Sequence, residues 1–181
     1  MSHNTALLVI DVQQSFEHRP YWSDVDLPDF RKKLVALIDG AAAAGIPVVR
    51  VLHVDPEGSF AKTSGFVRPM DWVPPAHDVV FEKTAHNAFT DTGLDRWLRS
   101  RGVTRVIVCG IRTEQCCETT TRVASDLGYD VDFVTEATLT FAMTHAGSGR
   151  VYDSADIKAR TELVLAGRFA RIATVEEALA A

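Results

Sequence analysis

Cys116, Asp11 and Lys83 are the residues whose types and positions best suit chemistry in this chain. Cys116 lies in the stretch 104–128, Thr-Arg-Val-Ile-Val-Cys-Gly-Ile-Arg-Thr-Glu-Gln-Cys-Cys-Glu-Thr-Thr-Thr-Arg-Val-Ala-Ser-Asp-Leu-Gly. Val106 to Cys109 is a short continuous apolar run, the pattern of a strand buried on both faces, and Gly110 interrupts it. After Thr113 the period changes. Cys116, Thr120, Val123, Ala124 and Leu127 share one helical face, and Gly128 stands where a left-handed cap would end the helix. The spacing predicts strand, tight turn and helix, with Cys116 in the first helical turn. Unpaired N–H groups and the positive end of the helix dipole favour an anion there, so the thiol is expected to lean toward thiolate. Nucleophilic attack is the chemistry such a thiol would do; the plain alternative is a small buried hydrophobe.

Asp11 ends the apolar run Ala6 to Ile10. A carboxylate there is costly to desolvate unless something pairs with it, although a turn or capping aspartate would also fit. Lys83 follows the short run Asp78 to Phe81, and a solvated lysine is its ordinary reading. Each of the three residues therefore follows the predicted carboxyl end of a strand.

The elements that must position them alternate along the chain. Phe30, Leu34, Leu37, Ile38 and Ala41 mark an amphipathic helix closed by Gly45, and Pro47 to Leu52 reads as a second strand. Residues 53–78 hold no periodic element but carry Phe60, Phe66 and Trp72 among four prolines. So long an irregular segment suggests a lid, a pocket wall or a cover for a neighbouring subunit. Leu94, Trp97 and Leu98 give another helix, and Tyr129 to Val134 a fifth strand. Residues 137–150 read as irregular, Ala155 to Ala166 as a helix, Arg171 to Ala173 as an edge strand and Val175 to Leu179 as a last helix.

Strands alternating with helices predict an α/β fold, doubly wound, a three-layer α/β/α sandwich around a mostly parallel central sheet, in a single domain over 1–181. In such sheets ligands bind beyond the carboxyl ends of the strands, at the point where strand order reverses. A 3-2-1-4-5 order would bring Asp11, Lys83 and Cys116 to one rim. A dinucleotide site is disfavoured, because no Gly-x-Gly-x-x-Gly follows the first strand and no phosphate loop is present.

Composition narrows the function classes. The net charge of −5 argues against nucleic acid or anionic membrane as partner, and no apolar run reaches the length of a membrane span. The opening Met-Ser-His-Asn-Thr does not resemble a signal peptide. Three cysteines, two of them the vicinal Cys116-Cys117, do not suit a disulfide framework, so a reducing, cytoplasmic setting is expected.

Taken together, the pieces resemble the isochorismatase-like cysteine hydrolase family, which includes nicotinamidases and N-carbamoylsarcosine amidohydrolases. The resemblance rests on Leu-Val-Ile-Asp11-Val-Gln13-x-x-Phe16, on Glu-Lys83-x-x-x-Asn-Ala-Phe89, and on Cys-Gly110-Ile-Arg-Thr113-x-x-Cys116. Leu-Gly-Tyr-Asp-Val follows, with Glu136-Ala-Thr where the family often has Asp-Ala-Thr. The match implies an Asp11, Lys83 and Cys116 catalytic triad, a cis peptide at Ile111–Arg112, and an oxyanion hole from the backbone N–H groups of Arg112 and Cys116. Isochorismatases proper lack the cysteine, so its presence favours C–N hydrolysis. An ordinary thiol ionises near ~8.5 and needs help at neutral pH, which Asp11 as base and Lys83 as countercharge would supply.

Gln13, Phe16, Trp22, Phe60, Trp72, Phe89, Gln115 and Phe141 are candidate pocket residues, chosen for their places near the rim. Arg112 suits either a substrate carboxylate or a salt bridge. No cofactor is expected. The resemblance implies a homo-oligomer, dimer or tetramer, consistent with aromatic loops at 16–22 and 60–72 that an interface would bury. Nicotinamidases hold a metal through an Asp-x-His-x-x-x-His pattern. The nearest counterpart here is Asp71 with His77, Val73 taking the first histidine's place, so no metal is expected even with His53 and Asp55 nearby. The expected activity is hydrolysis of a small amide, carbamoyl or ureido compound. A binding or assembly protein on the same fold, or a redox sensor using Cys116 and Cys117, are the alternatives.

Overall fold

A computed structural model describes residues 4–180. Six strands make one parallel sheet: β1 (Thr5–Ile10), β2 (Val48–His53), β3 (Val79–Lys83), β4 (Arg105–Ile111), β5 (Asp130–Leu139) and, after a short antiparallel pair β6 (Met143–Thr144) and β7 (Val151–Tyr152), β8 (Arg171–Ile172). The sheet order is β3-β2-β1-β4-β5-β8, so β1 and β4 are neighbours and the strand order reverses between them. This is the doubly wound arrangement anticipated from the alternation of elements.

Both faces of the sheet are covered because its central strands are apolar on both. Leu7 and Val9 of β1 and Ile107 and Cys109 of β4 enter the core under α1 (Leu27–Ala43), which contributes Phe30, Leu34, Leu37 and Ile38. Ala6, Leu8, Ile10, Val106 and Val108 enter the opposite core. There they meet α2 (Leu94–Arg99) through Leu94 and Leu98, α3 (Glu118–Asp126) through Ala124, and α4 (Ser154–Leu165) through Leu165. The last helix, α5 (Val175–Ala180), returns to the α1 side, where Val175 and Ala178 are buried. No helix among the described residues is long and apolar enough to cross a membrane.

Several boundaries differ from the sequence reading. β3 extends to Lys83, so the lysine is the strand's last residue rather than one beyond it. β5 runs on to Leu139, through residues expected to be irregular, because Thr138 and Leu139 continue the ladder opposite Gly110 and Ile111. Glu136, on this extension, pairs with Lys33 at 2.7 Å and accepts from the Val175 N–H, tying β5 to both helices on that face. The segment 53–78 contains only two single 3-10 turns, Gly58–Phe60 and Lys62–Ser64. It is tied along the 11–16 segment by backbone bonds from Gln14 to Arg68 and from Met70 to Val12, which makes it a wall. In the aromatic loops, Phe16 and Phe60 are buried, and Tyr21, Trp22 and Trp72 are partly buried against the core.

Gly110 does not end β4; it bends it. The register with β5 shifts between Val108 and Gly110, and Gly110 has φ +126°. A β-carbon there would lie 2.0 Å from the Ile10 carbonyl oxygen, so only glycine lets β4 lie this close to the end of β1. Gly110→Ala combines a forbidden φ with a backbone clash, and a loss of more than ~2 kcal/mol is expected. The denaturant midpoint of the variant checks this, and an unshifted midpoint would contradict it.

Candidate active site

Three strand ends bring three side chains to one point. Asp11 follows β1 in a left-handed turn with φ +52°, a conformation aspartate tolerates better than most residues, and its N–H is held by the Val51 carbonyl. Cys116 lies in a π-turn, Thr113–Cys117, between β4 and α3, closed by a bond from the Cys117 N–H to the Arg112 carbonyl at 3.2 Å. The peptide bond Ile111–Arg112 entering this turn is cis. Lys83, two strands away from β1, reaches over the end of β2. Its Nζ is 2.8 Å from Asp11 Oδ2 and donates to Cys116 Sγ at 3.4 Å.

The Asp11 and Lys83 side chains are both fully buried. The ammonium pairs with Asp11 Oδ2, and the Cys116 thiol is the other polar group beside the carboxylate. Burial raises the Asp11 carboxyl above the usual carboxylate range, although Lys83 and Cys116 pull it part of the way back. Burial alone would weaken the Lys83 ammonium, but the neighbouring Asp11 and Cys116 outweigh it and hold the lysine charged. Burial, reinforced by the Asp11 charge, pushes the Cys116 thiol well up, with Lys83 offsetting only part. Burial thus opposes the lean toward thiolate expected from the helix terminus. Beside the thiol stands a carboxylate made more basic by the same burial. That pairing suits proton transfer at the moment of attack.

The cavity in front of Cys116 is small, about 230 Å³. Its wall includes Asp11, Phe16, Phe60, Gln115 and Cys116, together with Arg19, Tyr21, His53, Asp55 and His86. Phe16, Phe60 and Gln115 thus lie where the sequence suggested, Phe60 meeting Phe16 edge to face at 4.9 Å. Five other candidates lie elsewhere. Gln13 is fully buried and clamps β1 to β2, accepting from the His53 N–H at 2.7 Å and donating to the His53 carbonyl at 3.0 Å. Trp22 and Phe141 pack on each other at 5.4 Å. Trp72 sits edge to face on Phe30 of α1, and Phe89 stacks on Tyr129. These aromatic residues have the right chain neighbourhood but are taken up by packing partners outside the cavity wall. His53 was discoverable: like Asp11 and Lys83 it stands at a strand's carboxyl end, directly opposite Lys83 in the ladder.

Arg112 is not free to meet a substrate. It is buried, pairs with Glu114 at 3.0 Å, and lies over the Tyr21 ring at 4.8 Å. Cys109 and Cys117 are fully buried, and burial raises both thiols.

Residues 5–174 match the isochorismatase domain. The chain belongs to the isochorismatase family. It is 28% identical over 185 aligned positions to the isochorismatase-family protein YrdC of Bacillus subtilis, covering 98% of this chain and 95% of that one. Nicotinamidase 3 of Arabidopsis thaliana is 34% identical over 152 positions, 75% of this chain and 73% of its own. Among solved structures, a cysteine hydrolase from Pseudomonas syringae pv. phaseolicola superposes with a TM-score of 0.89 at 26% identity, covering 98% of this chain and 92% of that chain.

Asp71, His77 and His53, the donors the sequence offered for a metal, each have another partner in this isochorismatase-family chain. Asp71 accepts from Gln14 at 2.8 Å, His77 Nδ1 bonds to the Pro75 carbonyl at 2.7 Å, and His53 is engaged by Asp55 and Lys83. Among the described residues, no group of three or more His, Cys, Asp or Glu side chains is placed to hold an ion. Turnover of a responsive amide is expected to survive exhaustive chelation unchanged. Loss restored by zinc, manganese or iron at one ion per chain would contradict this.

Proposed function

We propose that this protein is a cysteine amidohydrolase, cleaving a C–N bond of a small amide, carbamoyl or ureido compound through a thioester on Cys116. One observation carries the proposal: a buried ammonium, Lys83, touches both a buried carboxylate, Asp11, and the Cys116 thiol in the wall of a small cavity.

In this reading Sγ of Cys116 attacks the carbonyl carbon as its proton passes to Asp11. The oxyanion is met by the backbone N–H groups of Arg112 and Cys116, with Lys83 holding the countercharge. Collapse breaks the C–N bond, and Asp11 returns its proton to the departing amine. Water then attacks the thioester, giving a proton to Asp11, and the acyl product leaves as the sulfur is reprotonated. A cavity of about 230 Å³ suits a compound of few heavy atoms. Cys117, fully buried, is poorly placed to act as a resolving thiol for a redox cycle.

Ammonia or amine release from a panel of small amides, carbamoyl and ureido compounds tests the proposal. Release is expected from the wild type and not from Cys116→Ala; equal release from both would end the assignment. Asp11→Asn is expected to lower turnover by at least ~100-fold. Asp11 must be ionised to accept the thiol proton. Its raised affinity for a proton therefore places the acid limb of turnover above the ordinary aspartate value of ~3.9. An acid limb at or below that value would contradict the role given to burial.

A further inference from the structure

An ammonium has three N–H donors. Lys83 directs them at three acceptors in aligned geometry: His53 Nδ1 at 3.0 Å, the Ala85 carbonyl at 3.1 Å and Cys116 Sγ at 3.4 Å. Asp11 Oδ2 also lies 2.8 Å away, so four groups compete for three donors, and the His53 and Ala85 acceptors help set the rotation that points one N–H at the sulfur. The Ala85 carbonyl is backbone and does not titrate. His53 Nδ1 can accept only if its lone pair is free, which places the ring proton on Nε2. There it meets Asp55 Oδ1, 2.9 Å away.

We infer that His53, braced by Asp55, is a positioning residue that fixes the Lys83 ammonium so that one of its N–H groups points at the Cys116 sulfur. The chain Asp55–His53–Lys83–Cys116 runs from the mouth of the cavity to its floor, and the ring is held at every edge. Its backbone is clamped by Gln13, and its face meets Phe60 edge-on at 5.7 Å. The His53 side chain is 13% exposed while Asp55 is 48% exposed, so the brace lies where solvent and substrate can reach it. The inference rests on the amidohydrolase reading for its meaning, but its geometry does not need a substrate.

The charged and titratable groups around the ring are Lys83 on β3, Asp55 on the loop after β2, His86 on the loop after β3, Asp11 after β1 and Cys116 after β4. His53→Leu removes both ring contacts. His53→Asn keeps an acceptor, because the amide oxygen takes the place of Nδ1, and cannot titrate. Asp55→Ala removes only the brace, at a half-exposed position that puts the fold at little risk.

The measurement is the rate of iodoacetamide alkylation at Cys116, read by mass spectrometry, with kcat and KM on any amide the panel identifies. His53→Leu is expected to slow alkylation at least tenfold at neutral pH and to lower kcat in step. His53→Asn recovers most of the rate, and Asp55→Ala loses severalfold. A merely structural histidine would not be rescued by an asparagine that only restores the acceptor. The inference is overturned if His53→Leu alkylates like wild type or if His53→Asn is as slow as His53→Leu. Should His53→Leu fail to fold, His53→Asn and Asp55→Ala decide: wild-type alkylation in Asp55→Ala overturns the inference. An unresponsive amide panel with the alkylation pattern intact would count against the amidohydrolase reading alone.

Discussion

A carboxylate and an ammonium, Asp11 and Lys83, are buried together with no exposure to solvent. Desolvating such a pair costs several kcal/mol per ion, and attraction alone rarely repays it. The surroundings here supply the remainder through the Ala85 carbonyl, the His53 ring and the Cys116 sulfur around the ammonium. Removing either charge would strand the other, at ~3–5 kcal/mol. Much of the local architecture serves to bring these groups together: the left-handed turn at Asp11, the glycine that lets β4 crowd β1, the Gln13 clamp on β2 and the π-turn carrying Cys116.

The same desolvation sets the chemistry. A thiol at a helix terminus in water would lean toward its anion, but Cys116 is shielded and sits beside a carboxylate, and both effects favour the proton staying on sulfur. The same shielding makes the carboxylate more basic than in water. Lys83, kept charged by its neighbours, is a fixed countercharge beside both groups. In the proposed reaction such an arrangement would need little rearrangement as charge moves from carboxylate to sulfur to oxyanion.

The parts of this site that lie on regular structure were legible in the sequence. Asp11 and Cys116 follow strands marked by continuous apolar runs, Lys83 ends a shorter one, and parallel topology sends all such ends to one rim. His53 obeys the same rule, but a single histidine gives no local pattern to distinguish a ligand of Lys83 from a surface residue. The aromatic residues were harder. Trp72 and Phe89 are near the rim in sequence, yet one faces α1 and the other the opposite core, because a loop's facing is decided by its tertiary partners. The extension of β4 through Gly110 also escaped a reading by hydropathy: glycine usually interrupts a strand, and here its missing β-carbon is what the strand requires. The ionisation of Cys116 was misjudged for a related reason. The helix dipole is visible in a sequence pattern, whereas burial depends on elements far away along the chain.

The central claim is that Cys116 forms a covalent bond to the acyl part of a substrate. Intact-mass spectrometry of enzyme acid-quenched during turnover, followed by peptide mapping, tests it most directly. The account predicts a mass increase equal to the acyl or carbamoyl group, on the peptide containing Cys116, that decays as substrate is exhausted. Active enzyme that never carries the adduct, under conditions where thioester hydrolysis is slowed enough to trap it, would contradict the account.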